Sequence, residues 1–114
     1  MQVINQTRNL SLMSRGRLAD TFWQRFWGLM GVKTLLHNEG LILAGDKSIH
    51  TFFMKFPIDV IYVDKKFNVL RADSRMPPNR IGPFVSPTAW ILELPVGVIA
   101  ATQTQPGDIL TFIE

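Results

Sequence analysis

Pro57-Ile58-Asp59-Val60-Ile61-Tyr62-Val63-Asp64-Lys65-Lys66-Phe67-Asn68-Val69-Leu70-Arg71-Ala72 reads as a β-hairpin. Residues 58–63 are β-branched or aromatic at every position except Asp59. They fill both alternating faces, as in a strand covered on both sides. Asp64-Lys65-Lys66 makes the turn, and residues 67–72 return as the partner strand.

Further strands are predicted outward from this hairpin. Residues 40–44 form a short apolar run, and residues 50–55, 88–94 and 109–113 each carry a strand pattern. Residues 2–18 hold one or two short strands at a sheet edge. Pro106-Gly107 is a turn, with proline presetting the first central φ and glycine taking the positive second one. A helix is predicted over residues 21–30. Thr21-Phe22-Trp23-Gln24 matches a capping box, Phe22, Phe26, Leu29 and Met30 share a face, Trp23 and Trp27 widen it, and Gly31 supplies the stop. A second, shorter helix begins near Pro95 and runs to about Gln103. The expected fold class is α+β: a small curled β-sheet or β-barrel-like domain of about five to seven strands with one or two short helices.

The chain has 114 residues, and this length fits one domain, residues 1–114. Its apolar fraction of 46% excludes a disordered chain. With no cysteine, disulfides, thiolate catalysis and thiolate metal sites are excluded. The longest uncharged stretch, residues 94–107, is 14 residues long and contains two prolines and two glycines. A membrane span needs about 20 apolar residues. Residues 1–7 lack a basic region followed by an apolar one, so the chain reads as cytoplasmic without a signal peptide. The net charge is +3 and unevenly spread: residues 65–80 hold five bases and one acid, residues 81–114 three acids and no base. A basic balance of this size is weak evidence for nucleic acid, which is not the expected partner.

Phosphate-cradling glycine loops, metalloprotease, EF-hand and serine-hydrolase motifs are all missing. Only His37 and His50 are present, so a three-histidine metal centre is impossible. The spacing of His50, Asp59 and Glu93 does not argue for a mixed site, and neither metal nor cofactor is expected. Asp59 shares a strand face with Ile61 and Val63, where an ionised carboxylate needs a partner. It either joins Lys55 and His50 in a polar pocket or accepts backbone N–H groups from the Phe56-Pro57 bend. Glu93, on the Ala89–Ile91 face, either pairs with Arg25 or a ligand in the interior or faces solvent. Asp108 caps the turn before it. The aromatic set Phe22, Trp23, Phe26, Trp27, Phe52, Phe53 and Trp90 suits core packing or a stacking platform. Residues 74–87 hold four of the seven prolines and form either a lid or a stiff crossover.

Three segments together resemble the DUF192 (UPF0127) family. They are Arg25-Phe26-Trp27-Gly28-Leu29-Met30; Phe53-Met54-Lys55 followed by residues 57–64; and Leu92-Glu93-Leu94 with Gly97, then Gly107-Asp108. The resemblance runs from about Ala19 to Phe112. Where the family often has Phe-Trp-Met-Lys-Asn, this chain has Phe52-Phe53-Met54-Lys55-Phe56. The change from the amide to Phe56 removes a polar pocket group. The resemblance implies a β-rich fold with a short helix and brings no activity with it.

The leading functional expectation is therefore a non-enzymatic module, read as a monomer, binding a saccharide or a peptide. Its groove would lie near Lys55, Asp59 and Glu93, with His50, Met54 and Arg25 as further contacts. One alternative is a carboxylate acid/base enzyme using Asp59 and Glu93, with Lys55 as electrostatic stabiliser. Another is a nucleic-acid or anionic-surface binder using Lys65, Lys66, Arg71, Arg75 and Arg80.

Overall fold

The computed structural model describes residues 1–21, 24, 25, 28, 29 and 32–114. In chain order its strands are β1 (Gln2–Asn5), β2 (Leu10–Met13), β3 (Arg15–Ala19), β4 (Glu39–Ala44), β5 (Ile58–Asp64), β6 (Val69–Met76) and β7 (Thr88–Pro95). The short helix α1 (Val98–Thr102) and β8 (Leu110–Ile113) complete the chain. They form a five-stranded sheet, β3-β4-β7-β5-β6, and a three-stranded sheet, β2-β1-β8. All neighbours in them are antiparallel except β3 and β4.

β5 lies between β6 and β7, and its first six residues are all buried. Alternation divides its side chains between two cores. Ile61 and Val63 join Ile42, Leu92 and Leu94 against Val3, Leu12, Leu110 and Ile99, so this face is covered by the three-stranded sheet and α1. Ile58, Val60 and Tyr62 join Leu41, Leu43 and Ile91 on the opposite face, under Leu29, Ile49 and Met54. The reading of a strand covered on both sides holds, and the result is a curled-sheet domain. The helix content among the described residues is α1 and the helical pair Gln24-Arg25. No helix among them is long and apolar enough to cross a membrane.

Several boundaries move for identifiable reasons. Residues 50–55 are not a strand. His50 makes one isolated bridge with Ile81, the Met54 N–H turns back to the Thr51 carbonyl at 3.2 Å, and Phe53 adopts φ 64°. A left-handed residue breaks the two-residue alternation a strand requires. β6 continues to Met76, so the proline-rich connection begins at residue 77. That connection is strapped to residues 47–53: Thr51 N–H to Arg80 O (2.8 Å), Asn79 N–H to Thr51 O (2.9 Å), Gly82 N–H to Ile49 O (2.8 Å), Val85 N–H to Lys47 O (2.8 Å). It is a packed crossover.

Pro95 ends β7 instead of opening a helix, and α1 starts after Gly97 at φ 104°. The capping box is present: the Gln24 N–H donates to Thr21 Oγ1 (3.2 Å), and the Thr21 N–H donates to Gln24 Oε1 (3.3 Å). The last turn closes with the Gly28 N–H on the Gln24 carbonyl (2.9 Å), and Gly28 has φ 45°. The left-handed stop therefore falls at Gly28. Gly31, Phe22, Trp23, Phe26, Trp27 and Met30 lie outside the described residues. Gly107 takes the positive φ expected after Pro106, and Asp108 Oδ2 accepts the Gln105 N–H (3.1 Å).

Candidate functional site

The two carboxylates that stand out in the sequence are both in the interior, Asp59 with no exposed surface and Glu93 at 3%. Their situations are opposite. Asp59 Oδ1 accepts the Arg75 N–H (3.0 Å), while Oδ2 accepts the N–H groups of Gly97 (3.2 Å) and Ile99 (2.9 Å). Gly97 and Ile99 open α1, where backbone N–H groups lack helical partners. Asp59 is thus a long-range cap that ties α1 and the end of β6 to the central strand. Its partners are not in the Phe56-Pro57 bend, and Lys55 is not among them.

Glu93 Oε1 is buried without a hydrogen-bond partner among the described residues. In the ladders Glu93 stands opposite Leu41 of β4 and Val60 of β5, whose side chains belong to the apolar core of that face. Burial pushes its pKa up to about 8, and the nearby charge of Asp46 adds to the shift. The group is mainly a neutral acid at pH 7, with an O–H to donate and an oxygen to accept. The solvent-facing reading of this strand face is overturned, because the chain through Leu29 and Ile49 covers it.

The expected Arg25–Glu93 pair does not form either. Arg25 turns to Asp46, with Nε 3.1 Å from Oδ1, and donates from one terminal nitrogen to the carbonyls of Ala44 (3.0 Å) and Asp20 (3.3 Å). The 3.1 Å approach is an ion pair without hydrogen-bond alignment, since Nε lacks a hydrogen-bond partner. Burial raises the pKa of Asp46, and Arg25 partly offsets this. Gly28 closes the arrangement: a Cβ placed on it would sit 3.5 Å from the Arg25 carbonyl and 3.9 Å from Glu93 Oε1. Arg25, Gly28, Asp46 and Glu93 thus form one polar cluster on the sheet face away from α1.

Of the remaining predicted residues, Met54 is buried in the core of this same face. Lys55 is exposed. The His50 ring stacks on Phe52 with centroids 5.5 Å apart, and its Nδ1 accepts the Phe52 N–H (3.2 Å). Lys55, Asp59 and Glu93 do not share one groove, because Asp59 points through the other face of the sheet. Among the described residues no group of three or more His, Asp or Glu is arranged to hold a metal ion.

Sequence reasoning missed Asp46, whose place beside Arg25 depends on β4 ending at Ala44. It also missed a buried network linking the two chain ends. The Asn5 amide donates to Thr104 Oγ1 (3.0 Å) and Asp108 Oδ2 (3.0 Å), and Arg8 Nε donates to Asp108 Oδ2 (2.8 Å). Burial works to raise the Asp108 pKa, but the bonds from Arg8, Asn5 and Gln105 outweigh it and hold the carboxyl below its ordinary value. This network is fully paired and reads as a staple. A surface groove of about 310 Å³ beside Phe67 and Ile109–Phe112 is lined by Lys66 of the basic set and by none of Arg25, His50, Met54, Lys55, Asp59 or Glu93.

Comparison with known proteins agrees with this architecture. The DUF192 family model, described as an uncharacterized ACR, matches residues 3–112. A UPF0127 protein of Thermococcus kodakarensis is 33% identical over 114 residues, covering 96% of this chain and 72% of that protein. A UPF0127 protein of Pyrococcus horikoshii is 34% identical over 109 residues, covering 93% and 94%. The crystal structure of a protein of unknown function from Novosphingobium aromaticivorans superposes with a TM-score of 0.83 at 24% identity, covering 97% of this chain and 82% of that one.

Proposed function

We propose that this chain, which belongs to the DUF192 family, is a non-enzymatic module that binds a small hydroxyl-bearing ligand of the saccharide class at the Arg25–Gly28–Asp46–Glu93 cluster. The observation that carries the reading is the Oε1 of Glu93, buried and without a hydrogen-bond partner among the described residues. Buried polar groups are nearly always hydrogen-bonded, and an exception calls for a reason. A neutral carboxyl both donates and accepts, which a sugar hydroxyl matches in kind. The adjoining Arg25–Asp46 pair offers a charged donor and acceptor to a second hydroxyl.

Two features favour binding over acid/base catalysis by a carboxylate pair. The Asp59 oxygens are engaged by three backbone N–H groups. Glu93 leaves the sheet through the other face. Glycosidase-type chemistry needs two carboxyls across one cleft.

The reading is tested by nuclear magnetic resonance titration of the full chain with panels of saccharides, short peptides and nucleotides. Saccharides are expected to move the signals of Gly28, Asp46 and Glu93. The Glu93→Gln variant, which still donates and accepts, keeps binding, while Glu93→Leu weakens it by about ten-fold or more. A saccharide panel that moves none of these signals overturns the proposal.

A further inference from the structure

Independently of that cluster, the structure carries a second surface. Phe53, Phe84 and Ile81 are 73%, 73% and 72% exposed, the highest values for any large apolar side chain among the described residues, and Phe52 adds 39%. All four come from the two segments strapped together by Thr51, which is itself fully buried. The Thr51 hydroxyl donates to Pro77 O (2.7 Å) and accepts the Arg80 N–H (2.9 Å), and the Phe53 N–H donates to Asn79 Oδ1 (3.4 Å). The apolar tips are therefore presented by a fixed platform. Phe53 is held there in a left-handed conformation, φ 64°, which a bulky residue adopts at a cost.

Charge sets the kind of partner. Residues 47–58 and 74–92 contain four bases, Lys47, Lys55, Arg75 and Arg80, and no acid. Lys47 is tied to the Thr88 carbonyl, but Lys55, Arg75 and Arg80 are exposed and form no ion pair among the described residues. Exposed phenylalanine and isoleucine amid unpaired cations is the composition of a surface that enters the boundary between headgroups and acyl chains of an anionic bilayer. A nucleic acid would use the cations and could stack on the rings, yet it would leave Ile81 in water.

We infer that the paired loops bearing Phe52, Phe53, Ile81 and Phe84, with Lys55, Arg75 and Arg80 around them, form a docking surface for anionic lipid membranes. Cations draw the chain to the surface, and the apolar tips then leave water. Neither step involves a membrane-spanning element.

The test is co-sedimentation of the full chain with vesicles of phosphatidylglycerol and phosphatidylcholine in equal parts, and with phosphatidylcholine alone, at low and high salt. The expected result is binding to the anionic vesicles only, weakened by salt. A Phe53→Asn/Phe84→Ser double variant is expected to lower partitioning about ten-fold or more, because two apolar groups no longer leave water. Lys55→Glu/Arg80→Glu lowers it comparably at low salt. All four positions are exposed, and circular dichroism melts matching the parent confirm that each variant folds. Three results each overturn the inference: no sedimentation with anionic vesicles, undiminished binding by the phenylalanine variant, or binding to a single-stranded oligonucleotide or polyglutamate without binding to vesicles.

Discussion

Asp59 stands opposite Leu94 in the β5–β7 ladder and Glu93 stands opposite Val60, so the two acids are one register step apart on neighbouring strands and leave the sheet through opposite faces. Cross-strand partners share a face, and successive residues alternate. Asp59 is therefore spent on the α1 side, where three N–H groups absorb its charge. Glu93 enters the apolar face beneath Leu29 and Met54, where no N–H group of the described residues meets its Oε1. One acid is a structural joint, and the other keeps an oxygen without a partner among the described residues.

Replacing Asp59 by alanine should be among the most damaging single changes in the chain. It strands the buried N–H groups of Arg75, Gly97 and Ile99, each costing about 1–3 kcal/mol when unsatisfied, so a loss of about 3 kcal/mol or more is expected. Urea denaturation measures it. A loss below about 1 kcal/mol would show that water replaces the carboxylate without penalty.

The central strand was legible because its residues are β-branched on both faces, and that pattern does not depend on distant chain. The same holds for the Thr21–Gln24 capping box and the Pro106-Gly107 turn, whose bonds are local. Residues 50–55 misled for a corresponding reason. Their alternation is that of a strand, but the decisive contacts run from Thr51 to Pro77 and Arg80, 26 and 29 residues away. Asp59 showed in the sequence as an acid needing partners, yet two of those lie 38 and 40 residues on. The alternation of β7 placed Glu93 with Ile91, but whether that face meets water depends on a covering layer contributed by other segments.

The raised pKa of Glu93 makes stability depend on pH. Its folded value is about 8 against an ordinary 4.5, so between these values the folded chain holds a proton that the unfolded chain has released. Stability from this group is complete below about pH 4.5 and is lost as pH rises through 8, with a slope of up to about 1.4 kcal/mol per pH unit. Urea midpoints from pH 5 to 8 should fall for the parent, and the fall should be much smaller for Glu93→Gln. Parallel profiles for the two proteins would place the titrating group elsewhere.

Thr51→Val tests the strap beneath the apolar tips. Valine keeps the shape but removes the donor to Pro77 O and the acceptor for the Arg80 N–H. Two hydrogen bonds lost in a buried position should cost about 1–3 kcal/mol. Amide hydrogen exchange should speed up in residues 77–85 more than in β5. Equal acceleration everywhere would mean that the strap is not a separate unit of stability.

Glu93→Leu separates the needs of the fold from those of the site. Leucine is of similar size and removes from an apolar surrounding a carboxyl whose Oε1 is unsatisfied among the described residues, so the variant should gain about 1–3 kcal/mol of stability at pH 7. Gly28→Ala places a methyl group 3.9 Å from the same oxygen and in the left-handed region, so it should cost about 1 kcal/mol while crowding the same space. The two substitutions thus move stability in opposite directions, but both should weaken saccharide binding. A residue retained only for packing would not behave this way: the more stable Glu93→Leu protein would then bind as the parent does. Chemical denaturation and saccharide titration on the same two variants decide between these outcomes.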